Sequence, residues 1–214
     1  MSEAIEPGDP RRRLALAYAR REDRAGLACL WALDERLGAI VASTREEMLG
    51  RIRLQWWRDS LAGLGDTGAP AGEPLLGALA SLVRAGRLEP EQLVRLVEGW
   101  AALLEGDLCA SMLDSYASGR GGALFAATAQ LVGAPAPEGL EAAGAGWALF
   151  DFAGRGSTGA ADALRRAAVL PARHRRWPRR LRPLAVLLVL ARTEQSTAWR
   201  RLIDLLRASL TGYC

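Results

Sequence analysis

The sequence predicts an all-α fold, a single-domain helical bundle of about nine to ten helices. Two observations carry this. Apolar residues recur at helical spacing between clear start signals. No run alternates apolar and polar residues with the β-branched content a strand needs. A third observation bounds the size: 214 residues, half of them apolar, suffice for one full hydrophobic core. No repeat or second domain is evident. A loose polar N-terminus at 1–9 is expected to precede one helical domain at 10–214.

The elements follow in order. Asp9-Pro10 is a helix start, an N-cap carboxylate followed by Pro in the first turn, with a helix to about Arg20. Glu22 to Ala42 is the second helix. Ser43 and Thr44 precede Glu46 and Glu47 by three residues, a capping-box pattern opening a third helix to about Leu64. Met48, Ile52, Trp56 and Ser60 share one face of it at i, i+4 spacing. Gly63 to Gly72 is a connector. Pro74 opens a helix to about Arg84, and Glu89-Pro90 opens one to about Gly106. Asp107 to Leu113 is a break or a continuation. Leu113 to Val132 reads as helix despite Gly119, Gly121 and Gly122. Glu138–Ala153, Ser157–Ala168, Pro183–Arg192 and Gln195–Leu210 complete the chain. The Ala and Gly content points to helices packed at short distance.

Composition excludes several functions. Three cysteines, Cys29, Cys109 and Cys214, stand far apart with no CxxC pair, so neither a disulfide framework nor a zinc site is expected. His174 is the lone histidine. The N-terminal residues lack the apolar core of a signal peptide, and the run Leu184 to Ala191 is too short to span a bilayer. A cytoplasmic protein is expected, with peripheral contact at the inner membrane left open. Charge is uneven: residues 1–150 hold 15 Arg and 20 acids, residues 151–214 hold 13 Arg and 4 acids, and lysine is absent.

Leu27 to Leu61 reads LACLWALDERLGAIVASTREEMLGRIRLQWWRDSL. Its Cys29-Leu30-Trp31-Ala32-Leu33 run and its Gln55-Trp56-Trp57-Arg58-Asp59-Ser60-Leu61 end resemble the first helices of the squalene/phytoene synthase family. Asp114-Ser115-Tyr116-Ala117-Ser118-Gly119-Arg120-Gly121-Gly122 resembles that family's Tyr-containing, Gly-rich helix. Leu170-Pro171 resembles a Leu-Pro that follows. The resemblance spans roughly residues 10–171 and is firmest at 27–61 and 114–125. It implies the isoprenoid synthase type of bundle and head-to-head condensation of prenyl diphosphates. It also implies magnesium held by Asp at i and i+4 on two facing helices, clamping the departing diphosphate.

Those acids are missing. The resemblance places Gly38, Ala39 and Ala42 where the first set belongs, and Glu35 where an arginine stands. Asp34 and Glu35 are sequence neighbours about 100° apart on a helix, so they do not replace an i, i+4 pair. For the second set, Glu98 fills one position and Ala101 or Ala102 the other. A third element has become Ala148 to Arg155, without its Gln and with Asp151 and Arg155 out of place. The reading is a relative that has lost magnesium-dependent chemistry, with no catalytic residue, no metal ligand and no cofactor. It would be a binding or assembly protein, and the Leu54-Gln55-Trp56-Trp57 run suits a branch of complex I assembly factors. The alternative is an active prenyltransferase that uses Mg²⁺ through rearranged acids such as Glu98, Glu105, Asp107 and Asp151.

Candidate contacts follow from this. Arg53 and Arg58 could meet a phosphate, and Tyr116 and Arg120, one turn apart, could line a residual site for a hydrophobic or prenyl ligand. Trp31, Trp56, Trp57, Trp100 and Trp147 read as packing residues, and Arg58-Asp59 as a surface or interhelical pair. Arg165 to Arg182 holds eight arginines and no acid, punctuated by Pro171, Pro178 and then Pro183. Its Arg175, Arg176, Trp177, Arg179 and Arg180 form an expected surface for an acidic protein partner or an anionic membrane. Nucleic acid is not favoured, because no nucleic-acid motif accompanies the charge.

Overall fold

The computed structural model describes residues 5–66, 68–70, 72–156, 158–169 and 177–192. Every regular element among them is helical: α1 (Pro10–Leu16), α2 (Arg21–Ser43), α3 (Glu47–Ala62), α4 (Pro74–Arg84), α5 (Pro90–Ala101), α6 (Ala110–Tyr116), α7 (Ala123–Leu131), α8 (Leu140–Gly154), α9 (Ala160–Val169) and α10 (Arg182–Arg192). A 3₁₀ turn, Ala102–Leu104, extends α5, and another, Arg179–Leu181, leads into α10. The π-helical turn Ala117–Gly122 joins α6 to α7, so 110–131 is one helical run with a bulge.

Proline and local capping set the starts. The Arg11 N–H donates to the Asp9 carboxylate at 2.8 Å, and Pro10 opens α1 as expected. Pro74 and Pro90 likewise stand at the first turns of α4 and α5. The expected capping box before α3 does not form. The N-cap is Glu46, with no side-chain cap bond. The hydroxyls of Ser43 and Thr44 donate backward to the Ile40 carbonyl at the end of α2. Residues 5–9 are held rather than loose: Pro7 is buried, and the Gly8 and Asp9 N–H groups donate to Glu35. The expected helix at Gln195–Leu210 lies outside the described residues.

The core gathers around α2, α5, the π turn with α7, and α8. Glycine lets these helices meet backbone to backbone. A Cβ on Gly99 of α5 would run into the Arg120 backbone, and one on Gly119 would come within 2.7 Å of Gly99 Cα. A Cβ on Gly144 of α8 would strike the Gly121 carbonyl. The π turn therefore lies in contact with α5 on one side and α8 on the other. That pins Arg120 in the middle of the molecule. α3 packs on α5, α4 on α2, α9 and α10 on α8, and α1 on α10.

Candidate functional site

The centre of the bundle is a closed ionic cluster. Asp34 of α2 is fully buried. It accepts from Arg120 Nε at 3.0 Å and Nη2 at 2.9 Å, from Trp100 Nε1 at 2.7 Å, and from Arg12 Nη2. Four donors leave its carboxylate no free acceptor site of consequence. Asp151 of α8 meets the far side of the same guanidinium: its Oδ2 lies 2.8 Å from Arg120 Nη1. Arg155, one turn on, reaches the same oxygen at 2.8 Å, and Arg11 reaches Oδ1 at 3.3 Å. Arg120 Nη1 also donates to the Tyr116 hydroxyl. Arg12, the buried member of the Arg11-Arg12-Arg13 triplet, donates to the Trp31 carbonyl at 2.6 Å.

Aromatic rings close the cluster. The Arg120 guanidinium carbon stands 4.3 Å from the Trp100 ring centre and 4.6 Å from that of Trp147. Tyr116 packs edge-on against Trp100 and Phe152. Two buried arginines thus face two buried aspartates in an aromatic box, the arrangement under which a buried charge is tolerable.

The ionisation states follow. Burial alone would raise the Asp34 pKa, but the charges and hydrogen bonds of Arg120 and Arg12 outweigh it and hold the carboxyl well below its usual range. Burial opposes the charge on Asp151 too, and Arg120, Arg155 and Arg12 bring it down to about 2. Burial disfavours the charged form of Arg120, yet Asp34, Tyr116 and Asp151 keep its pKa well above normal. Burial pushes the Tyr116 hydroxyl up to about 12. None of Asp34, Asp151, Arg120 and Tyr116 is poised to exchange a proton near neutrality.

These residues do not fit magnesium. A Cβ on Gly38 would sit 2.8 Å from two ring carbons of Trp100. Where the resemblance places a family acid, there is room only for a hydrogen, because the indole occupies the space. The three buried carboxylates among the described residues, Asp34 and Asp151 in the centre and Asp23 beside Arg87, are already spent on guanidinium groups. Glu98, Glu105 and Asp107 are exposed and do not join Asp151. Among the described residues, no group of three or more His, Cys, Asp or Glu side chains is placed to hold a metal ion.

The candidate contacts divide. Tyr116 and Arg120 come together as expected, but both are fully buried and bonded to the cluster, so they present no surface to a ligand. Arg53 and Arg58 are exposed on α3 and stay out of the cluster. Arg58 pairs with Glu98 at 3.4 Å, not with Asp59, which instead accepts from Gln55 at 2.7 Å. Trp31, Trp57, Trp100 and Trp147 are core, whereas Trp56 is 46% exposed, contrary to its expected packing role. Trp177 is buried edge-on against Phe125 and is therefore no surface anchor. Arg180 donates to the Val132 and Gly133 carbonyls and so closes the end of α7. Arg179 is exposed, and Arg175 and Arg176 lie outside the described residues.

Asp34 escaped sequence reasoning. The signal was present: Leu27, Leu30, Trp31, Asp34, Leu37 and Gly38 form one helical seam, and Asp34 is its only charge. A lone carboxylate in such a seam requires a buried cation.

The described residues define an all-α helical bundle. The squalene/phytoene synthase family model matches residues 5–153, well over half of the chain, so the protein belongs to that family. No curated protein and no solved structure matches the chain. Among the described residues, no helix is long and apolar enough to cross a membrane.

Proposed function

We propose that this member of the squalene/phytoene synthase family has given up magnesium-dependent prenyl diphosphate chemistry and serves as a binding or assembly protein. One observation carries the reading. The Arg120 guanidinium, clamped by Asp34 and Asp151 between Trp100 and Trp147, fills the bundle centre with a permanent cation of the protein's own. A diphosphate leaving group needs divalent ions on freely available carboxylates. Here the inward carboxylates are committed and the Gly38 position is filled by indole.

The bundle then works as a scaffold. A hydrophobic ligand has room outside the cluster among the described residues, in a cleft of about 560 Å³ between the π turn, α8 and α9, lined by Ala117, Ala145 and Leu149, and in one of about 480 Å³ lined by Ile5, Leu16 and Ala28. A protein partner, as in the branch of complex I assembly factors, is the other use. An anionic membrane has less to hold, since Trp177 faces the core.

The test is direct. The purified chain is incubated with farnesyl or geranylgeranyl diphosphate, Mg²⁺ and NADPH, and both released pyrophosphate and hydrocarbon are measured. Neither should exceed a boiled control. Magnesium-dependent turnover above that control would establish the active alternative instead.

A further inference from the structure

Seven large hydrophobic residues stand clearly exposed among the described residues, and four of them lie on α3: Met48 at 71%, Leu49 at 48%, Ile52 at 59% and Trp56 at 46%. Such clustering marks a contact surface rather than scattered exposure. The opposite face of α3 already accounts for its place in the bundle, with Gly50, Leu54, Trp57 and Leu61 buried. The exposed stripe has no such use. Met48, Ile52 and Trp56 follow at four-residue steps, which spreads them over about 12 Å of one helix face.

The order of residues along this stripe is self-complementary. Met48 and Trp56 lie four residues to either side of Ile52, about 6 Å each way. Asp59 lies about 10 Å beyond Ile52 toward the end of the helix, and Arg45, of opposite charge, stands in the bend just before α3 begins. Asp59 accepts from Gln55 but has no arginine on it, and Arg45 has no carboxylate, among the described residues.

We propose that the exposed face of α3 is a homodimer interface, with two copies of the helix packed antiparallel across a two-fold axis at Ile52. Ile52 then meets its own counterpart. Met48 meets Trp56 of the second copy, a favourable sulfur–aromatic contact. Arg45 meets Asp59 of the second copy, and the two-fold axis makes every such contact twice. A lipid surface suits the stripe less well. Asp59 lies in line with it, and two neighbouring arginines are turned to internal partners, Arg51 to Glu47 and the Leu104 carbonyl, Arg58 to Glu98. The proposal goes beyond the proposed function and does not rest on it, since such a pair forms whether or not condensation is retained.

Sedimentation velocity on the full chain from about 1 to 100 μM tests it, the range in which one helix pair, at the small end of stable interfaces, should associate. The wild type is expected to pass from monomer to dimer. Ile52→Glu should remain monomeric throughout with unchanged helical circular dichroism, because residue 52 is solvent-facing in the monomer. Arg45→Asp and Asp59→Arg should each weaken the dimer about three- to thirtyfold, and the double reversal should restore it. A wild type that stays monomeric overturns the proposal, whether residues 193–214 cover the stripe or lipid does. Vesicle cosedimentation lost in Ile52→Glu would assign the stripe to lipid. A dimer indifferent to Ile52→Glu, or a double reversal no better than the singles, overturns it equally.

Discussion

Asp34 carries four hydrogen bonds and faces two guanidinium groups, so its charge is worth more than its volume. Asp34→Asn keeps the shape, removes the charge and turns an amide donor toward Arg120 or Arg12. The expected cost is about 3–5 kcal/mol, read as a lower urea midpoint, since Arg12 loses its buried carboxylate and Arg120 keeps only Asp151. Asp34→Asn with Arg120→Met should cost clearly less than the two singles added, because the stranded cation goes with its partner. Gly38→Asp asks the same question from the other side. Restoring an acid there drives it into the Trp100 ring, so a loss of about 1–3 kcal/mol is expected, with no rise in Tm on adding MgCl2. Against a Trp100→Ala background, where the ring is gone, the same aspartate should cost much less. The sequence contained half of this site. The missing acids at Gly38, Ala39 and Ala42 could be read by position, and Asp34 could have been read as the one charge in an apolar seam. That Trp100 fills the space left at Gly38 could not, because those residues are 62 positions apart and only tertiary packing joins them.

At the scale of elements, glycine does opposite jobs in different helices. Gly144→Ala places a methyl against the Gly121 carbonyl where α8 crosses the π turn. Neither backbone can withdraw without dragging Arg120 or Asp151 out of register. The expected loss is more than about 3 kcal/mol, appearing as a large Tm drop or as failure to accumulate folded protein. Gly77→Ala in α4 is the control. Its Cβ would meet nothing within 4 Å and its backbone is helical, so a gain of about 0.4–1 kcal/mol is expected in the same melts. Helix positions were largely legible because proline and N-cap chemistry are local, as at Pro10, Pro74 and Pro90. The failures were contextual. Thr44 had two backbone choices and took the Ile40 carbonyl behind it, leaving α3 without the expected cap. The π bulge at Ala117–Gly122 is a bargain struck with α5 and α8 and leaves no periodicity of its own in a run of small residues.

For the whole molecule, the ionic centre sets how stability depends on pH. The folded pKa of Asp151 is depressed from 3.8 to about 2. A depressed carboxyl pKa contributes stability that is present above the unfolded value and lost as pH falls through the folded one. For Asp151 this is a loss of about 2 kcal/mol between roughly pH 5 and pH 2, and Asp34, lower still, extends it downward. Tyr116 has the opposite sign: its folded pKa is raised from 10.0 to about 12. Its contribution is intact below the unfolded value and drains away as pH climbs from about 10 toward 12. Cys29, pushed up by burial from 9.0, steepens the same limb from slightly lower pH. His174 lies outside the described residues. Urea midpoints should therefore form a plateau between about pH 5 and pH 8, with an acid limb and an alkaline limb. Asp151→Asn should lower the plateau and flatten the acid limb. Tyr116→Phe should spare the acid limb and flatten the alkaline one, since Arg120 Nη1 keeps its bond to Asp151. A midpoint that instead moved steadily through pH 6–7, and did so equally in His174→Gln, would mean that a central group titrates near neutrality, which committed Arg–Asp pairs do not do.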